Sequence, residues 1–311
     1  MTAPETSQKV DILCADGVVL GGNFWRPAGE PEVVVVINAA TGVLARYYHR
    51  YARWLADSGF AVLTYDYRGI GASRPSDIRN CGYRWQDWGE CDFPAAAALA
   101  QRMAPGVRLQ VVGHSFGGFI PGMSAAGADV ERILTVGAQY AFWHDYQASA
   151  RARLFLKWHV VMPTLSMMCG FFPGRYLKWL EDLPKGVALQ WAAVGRSWES
   201  RIAPHERARL LQRFGAVRAP ILAIVLSDDE LATTAAVDRG LAYYPGSIRT
   251  RTVIRPSDFG QYSIGHFGFF HDRNRAGLWQ ETIAWLRDGR IPDSGSTSIV
   301  TPALRANEHE L

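Results

Sequence analysis

The stretch VVGHSFGGFI, residues 111–120, places a serine between glycines directly after a run of apolar residues. Residues 113–117 fit the pattern G-x-S-x-G between a predicted strand and a predicted helix. Glycines flank the serine where a turn is so sharp that side chains two residues away would collide, and such a turn lifts the hydroxyl clear of the sheet. The pattern therefore predicts that Ser115 is a nucleophile and not merely a small residue in a glycine-rich turn.

The segments around this stretch alternate between strand and helix patterns. Residues 32–40 (EVVVVINAA) and 60–73 (FAVLTYDYRGIGAS) contain runs typical of strands buried on both faces. Between them, residues 46–59 carry apolar side chains at helical spacing and end in a glycine, and residues 86–103 also read as a helix. With a hairpin over 10–27 and further strands near 107–115, 131–140, 219–230 and 247–258, this order predicts an α/β fold with a mostly parallel sheet flanked by helices.

The alternation stops between residues 140 and 215. This stretch holds five of the eleven tryptophans, eleven Arg or Lys and five Asp or Glu. We interpret it as a helical cap inserted in a core formed by residues 1–139 and 216–290, with a polar tail over 291–311 that is loose or packed as an arm. A solvent-exposed surface accounts for the positive charge of the insertion. Recognition of an acidic substrate is the more specific alternative.

A serine hydroxyl needs a base, and the base needs a group that orients it. His266, in SIGHFGFF, follows the last predicted strand, and Asp228 and Asp229 follow the strand before it. Because ligands bind beyond the carboxyl ends of parallel strands, we expect these side chains to meet Ser115 there. His271 is a weaker alternative for the base, and His114 is expected to face the sheet.

These motifs resemble those of the α/β-hydrolase superfamily over residues 11–290. The loop TYDYRGIGAS is similar to the D-x-R-G-x-G-x-S loop of many members, and residues 40–71 with IGHFGFF resemble a poorly characterised bacterial group, loosely similar to the serine-aminopeptidase-like set. The resemblance implies Ser115 as nucleophile and His266 as base. In family loops of the form G-x-x-D-P the last aspartate is the acid, which favours Asp229 over Asp228, although Leu226 and Glu230 replace the usual glycine and proline.

The same resemblance implies an oxyanion hole of two backbone amides. One is the amide of Phe116, after the serine. The other follows the third strand, where Ala40 is the expected donor and Thr41 the alternative. Tyr140 and Trp143, at the start of the predicted cap, are expected to contact the substrate.

Composition and charge argue against several kinds of partner and cofactor. The chain has 311 residues, a net charge of +4 and no long basic run, so a nucleic-acid partner is not expected. The N-terminus has no apolar core after a basic start and no apolar run is long enough to span a membrane, so we expect a cytoplasmic protein. The four cysteines are predicted to be reduced, and no metal or cofactor is expected.

The predicted activity is that of a serine hydrolase that acts on a carboxylic ester or related acyl substrate, apolar or aromatic, through a Ser-His-Asp triad and a covalent acyl-enzyme. An acyltransferase with an alcohol, amine or thiol acceptor is the first alternative, and a non-catalytic small-molecule receptor is the second. A homodimer is left open by the sequence.

Overall fold

A computed structural model describes residues 7–301 of the chain. Its main feature is a nine-stranded sheet in the order β1-β2-β4-β3-β5-β6-β9-β10-β11. The strands are β1 Ser7–Leu13, β2 Val19–Trp25, β3 Val33–Asn38, β4 Ala61–Tyr65, β5 Arg108–His114, β6 Arg132–Val136, β9 Ile221–Leu226, β10 Arg249–Ile254 and β11 Ser296–Ile299, with a separate pair, β7 Phe171–Phe172 and β8 Leu183–Pro184.

The six strands from β4 to β10 in this order are parallel, and β1, β2 and β11 pair antiparallel at the two edges. Every residue of β3, β4 and β9 is buried, as expected of strands covered on both faces. The predicted α/β class with a mostly parallel sheet is confirmed.

Helices cover both faces of the sheet. The α-helical segments are α1 His49–Asp57, α2 Trp85–Asp87, α3 Phe93–Met103, α4 Ile120–Met123, α5 Arg151–Phe155, α6 Met162–Cys169, α7 Gly174–Leu177, α8 Lys185–Ala193, α9 Pro204–Ala216, α10 Thr234–Leu241, α11 Gly265–Gly268 and α12 Leu278–Asp288. None of the helices in residues 7–301 is long and apolar enough to cross a membrane.

Between β6 and β9 the chain leaves the sheet and forms α5–α9 together with β7 and β8. Here α5, a π-helical turn over Leu156–Val161 and α6 follow one another without a break. We call residues 140–215 the insertion; its boundaries as an independent cap remain a prediction.

The predicted tail contains an element that the sequence pattern did not indicate. Residues Ser296–Ile299 pair antiparallel with β10 and extend the sheet by one strand. All four residues are exposed, so the backbone ladder and side-chain hydrogen bonds to β10, not an apolar face, hold this strand. The remaining tail positions, 302–311, and positions 1–6 of the N-terminal prediction lie outside the described residues.

Candidate active site

Ser115 lies at a sharp turn between β5 and a 3₁₀ turn, Ser115–Gly118. Its φ is +53°, a region that residues with a side chain rarely adopt. A Cβ on Gly113 would lie 2.4 Å from Gly118 Cα, and one on Gly117 would lie 2.2 Å from the Asn38 carbonyl oxygen. The turn can therefore be made only with glycine at these two positions, as the G-x-S-x-G pattern indicates.

His266 and Asp229 form a buried hydrogen-bonded pair. His266 Nδ1 lies 2.6 Å from Asp229 Oδ2, and the two side chains are 7% and 0% exposed. A carboxylate accepts hydrogen bonds, so Nδ1 carries the proton and the Nε2 lone pair of a neutral ring remains available.

Asp229 is itself held in place by the backbone. Its other oxygen accepts hydrogen bonds from the amides of Leu231 at 2.8 Å and Ala232 at 2.9 Å. Burial alone raises the pKa of Asp229, but the attraction of His266 and these hydrogen bonds outweigh it, so the pKa lies below the ordinary value. Asp229 is therefore an ionised carboxylate at neutral pH.

The neighbouring Asp228 has a different environment. Its Oδ2 accepts from Ser263 Oγ at 2.9 Å and from the amides of Ile264 at 2.8 Å and Gly265 at 3.0 Å. These bonds hold the loop that carries His266, whereas none of them reaches the imidazole. Asp229 is thus the hydrogen-bond partner of His266, and Asp228 positions the loop that carries it.

The carboxyl end of β6 leaves room for the His–Asp pair. Gly137 has a φ of +55°, and a Cβ there would lie 3.0 Å from Asp229 Oδ2 and 3.3 Å from His266 Nδ1. Two residues later, Gln139 Nε2 lies 3.4 Å from Ser115 Oγ. Among residues 7–301 this is the one hydrogen bond that the Ser115 hydroxyl makes, so none joins it to His266.

His114, expected to face the sheet, connects two loops of the site. It is fully buried, and its Nε2 lies 2.9 Å from the His266 carbonyl oxygen while its Nδ1 lies 2.8 Å from Tyr48 Oη. A carbonyl only accepts, so Nε2 donates and Nδ1 accepts from Tyr48. Burial, with the nearby His266, lowers the pKa of His114 to about 3, which keeps the ring neutral.

Tyr48 extends this connection to the loop after β3. Its hydroxyl accepts a hydrogen bond from the Ala40 amide at 2.9 Å. The amide of Ala40, the predicted oxyanion donor, therefore already has an acceptor, and its role at the site stays a prediction. The Thr41 amide, the stated alternative, has no acceptor among the described residues, and the Phe116 amide lies in the first turn of its helix, where amides lack intrahelical acceptors.

A cavity of about 530 Å³ opens over these groups. The side of the cavity next to the sheet is lined by Ala40, Thr41, Ser115, Phe116, Asp229 and His266. The insertion supplies the other wall with aromatic, aliphatic and cationic side chains, among them Tyr140, Leu154, Lys157, Trp158, Trp179, Leu180 and Trp191. The volume is that of a site for a small organic ligand.

Of the two predicted substrate contacts, only Tyr140 lines this cavity. Trp143 lies instead in a second pocket with Phe155, whose ring centroid is 4.8 Å from its own. The reason is local: Ala141 adopts a φ of +67°, and a 3₁₀ turn at Trp143–Asp145 carries the indole away from Ser115. The alternative base, His271, packs against Tyr47 and lines no part of the cavity.

Several residues of the site carried no usable signal in the sequence. Tyr48 and Gln139 belong to patterns that indicate only a helix and a strand end, and Lys157 stood among eleven cations of the insertion. His114 was visible within G-H-S-F-G, but its two hydrogen-bond partners come from loops that are distant in sequence.

Comparison with known proteins matches residues 29–183, just under half of the chain, to the family model described as serine aminopeptidase, S33. Human monoglyceride lipase is 26% identical over 115 residues, which cover 37% of this chain and 37% of the lipase. The aligned stretch thus spans little more than a third of that relative.

Solved structures with the same fold cover nearly the whole chain. DcsB, solved with a substrate analogue, has a TM-score of 0.59 and 17% identity over 91% of this chain and 100% of its own. A carboxyl esterase from Bacillus coagulans has a TM-score of 0.56 and 15% identity over 90% and 98%. A hypothetical protein from Pseudomonas aeruginosa has a TM-score of 0.60 and 15% identity over 92% and 94%. At these identities the likeness concerns the fold alone.

Proposed function

We propose that the chain is a serine hydrolase of the α/β-hydrolase superfamily that cleaves a carboxylic ester or related acyl compound, which its family match and its fold support. The acyl group is apolar or aromatic and passes through a covalent ester on Ser115. The observation that carries the proposal is the 2.6 Å Asp229–His266 pair on the wall of the cavity that Ser115 also lines. Similarity to a monoglyceride lipase and to the fold of a carboxyl esterase supports the same chemistry.

The first half of the reaction forms the acyl-enzyme. Ser115 Oγ attacks the substrate carbonyl while His266 Nε2 takes the hydroxyl proton, and Asp229 stabilises the imidazolium. The amides of Phe116 and Thr41 stabilise the oxyanion, where each donor is worth about 3 kcal/mol. The C–O bond to the leaving group then breaks, and His266 returns its proton to that group.

The second half releases the acid. Water enters, gives a proton to His266 Nε2 and attacks the ester carbonyl. The bond to Ser115 Oγ breaks, and the serine recovers its proton from His266. If an alcohol, amine or thiol replaces water at this step, the same acyl-enzyme supports acyl transfer.

The test combines a fluorophosphonate probe with turnover of 4-nitrophenyl butyrate. We expect labelling of Ser115 and hydrolysis by the wild type, and we expect Ser115→Ala to abolish labelling and reduce kcat by roughly 10⁴-fold or more. Ser58→Ala, at a serine that bonds the Trp54 carbonyl in α1, is the matched control and should behave as wild type. Thermal unfolding checks that both variants are folded.

Each alternative has its own outcome in this experiment. Retained turnover in folded Ser115→Ala contradicts the assignment of the nucleophile. Absence of both labelling and turnover in the wild type favours the non-catalytic receptor. A product transferred to added alcohol, amine or thiol, formed faster than free acid, favours the acyltransferase.

A further inference from the structure

Lys157 is an unusual member of the cavity wall. Its ammonium nitrogen lies 4.3 Å from the ring centroid of Trp158 and 4.5 Å from that of Trp179. Within residues 7–301 no carboxylate lies within ion-pair distance of it. The two indole faces hold the charge in place without neutralising it.

The other charged groups of this wall have partners. Arg153 Nη2 lies 2.6 Å from Glu230 Oε2, Asp229 is paired with His266, and Asp228 accepts three hydrogen bonds from the His266 loop. Among the charged side chains that line the cavity in residues 7–301, Lys157 is therefore the one without a hydrogen-bonded or ionic partner. Burial, with the nearby Arg153, lowers its pKa, so the ammonium is less well solvated than a surface lysine.

Lys157 also lies in an irregular stretch of helix. Lys157 and Trp158 lie in the π-helical turn Leu156–Val161, between α5 and α6. Such turns insert one residue into a helix and are frequent at functional sites. Lys157 follows Arg153 by one turn, so it lies farther along the helix than the Arg153–Glu230 pair that contacts the loop after β9.

The cavity that Lys157 shares with the serine and the His–Asp pair also has apolar lining. The apolar side chains include Trp85, Phe116, Leu154, Leu180 and Trp191. A ligand that fills the cavity therefore meets the serine, the His–Asp pair, apolar walls and one ammonium. A substrate cation would be repelled by this ammonium, which already occupies the two indole faces.

We propose that Lys157 is an anion-binding subsite, and that the substrate is an acyl compound whose apolar chain ends in a carboxylate away from the scissile bond. The inference rests on the proposed function insofar as the acyl carbonyl must bind at Ser115. A carboxylate would accept a charge-assisted hydrogen bond from Lys157 Nζ, which is stronger than a neutral one.

The test uses pairs of 4-nitrophenyl esters with equal chain length. One member carries a terminal methyl, as in the hexanoate, and the other a terminal carboxylate, as in the adipate monoester; the series runs from four to ten carbons. We expect the wild type to prefer the carboxylate at one chain length. Relative to its effect on the methyl ester, Lys157→Met should lower kcat/KM for that carboxylate ester about tenfold, the size of one partly desolvated charged hydrogen bond.

Lys185→Met is the matched control, because Lys185 lies outside the cavity and bonds Asn80. It removes the same charge from the insertion, and the carboxylate preference should persist. Equal kcat/KM for both esters at every chain length contradicts the proposal, as does an equal loss for both in Lys157→Met or loss of the preference in Lys185→Met.

A binding measurement separates this inference from the proposed function. In the Ser115→Ala background, calorimetry with monomethyl adipate and its longer homologues should give about tenfold weaker binding when Lys157→Met is added, and no change with Lys185→Met. If no ester is turned over and no probe reacts, the hydrolase assignment fails, and this comparison still decides the lysine site. Equal affinity with and without Lys157→Met overturns it.

Discussion

The two walls of the cavity differ in how their side chains are held. On the sheet side, Ser115 is set by a turn that only glycines permit, and Asp229 by two backbone amides and His266. On the insertion side, rings contact rings, and Lys157 is held by two indole faces. Backbone contacts fix atoms to within fractions of an ångström, whereas aromatic contacts tolerate changes of shape. We infer that the sheet wall determines the rate of the chemistry and the insertion determines which substrate is bound.

The largest effect expected from this difference is at the two adjacent aspartates. Asp229→Asn removes the carboxylate acceptor for His266 Nδ1–H and should lower kcat by roughly 10⁴-fold, as loss of the orienting carboxylate does in Ser-His-Asp triads. Asp228→Asn should cost about tenfold or less, because it weakens only the hydrogen bonds that hold the loop. Steady-state kinetics on 4-nitrophenyl butyrate measure both.

Circular dichroism of the two aspartate variants provides the control for folding. The reverse order, with Asp228→Asn the more damaging in folded protein, would show that the acid is the first aspartate of the pair. Equal losses would mean that both act only by placing the loop.

An intermediate effect on kcat is expected from Tyr48→Phe, because the Tyr48 hydroxyl connects the Ala40 amide to His114. Tyr48→Phe removes one hydroxyl and both bonds, so the loop that carries Thr41 loses its anchor, and kcat should fall by about ten- to hundredfold. KM should change little, since Tyr48 does not line the cavity.

Tyr51→Phe is the matched control for this substitution. Tyr51 is equally buried, and its hydroxyl bonds Thr282 Oγ1 at 2.8 Å, away from the site. Both variants should lose similar stability in urea unfolding, but only Tyr48→Phe should lose kcat. A loss of kcat in both would assign the effect to general destabilisation.

The smallest effect is expected on the insertion wall. Trp179→Phe replaces an indole that lines the cavity with a smaller ring. It should raise KM for the neutral 4-nitrophenyl hexanoate by about two- to tenfold, the value of one aromatic contact, and leave kcat unchanged. Trp143→Phe, in the second pocket, should change neither constant. A fall in kcat with Trp179→Phe, or a rise in KM with Trp143→Phe, would contradict the division between the walls.

Much of the sheet side was predictable because its signals are local. The β-branched run of β3, the G-x-S-x-G turn and the aspartates after β9 each depend on a few consecutive residues whose backbone preferences are short-range. Their meeting follows from parallel strands, whose carboxyl ends share one edge. The predicted oxyanion donors were harder to separate: Ala40 and Thr41 are adjacent, and the structure distinguishes their amides by the hydroxyl of Tyr48, which binds only the first.

The amino-acid sequence by itself determined the α/β class, the strand order along the chain and the sharp turn at Ser115, since apolar period and glycine placement act over a few residues. Only the tertiary structure decided that His114 joins two loops, that Trp143 lies away from the cavity and that Lys157 lies on its wall between two indoles. These outcomes depend on which side chains from distant segments share one space, and pairing of that kind leaves no trace in local periodicity.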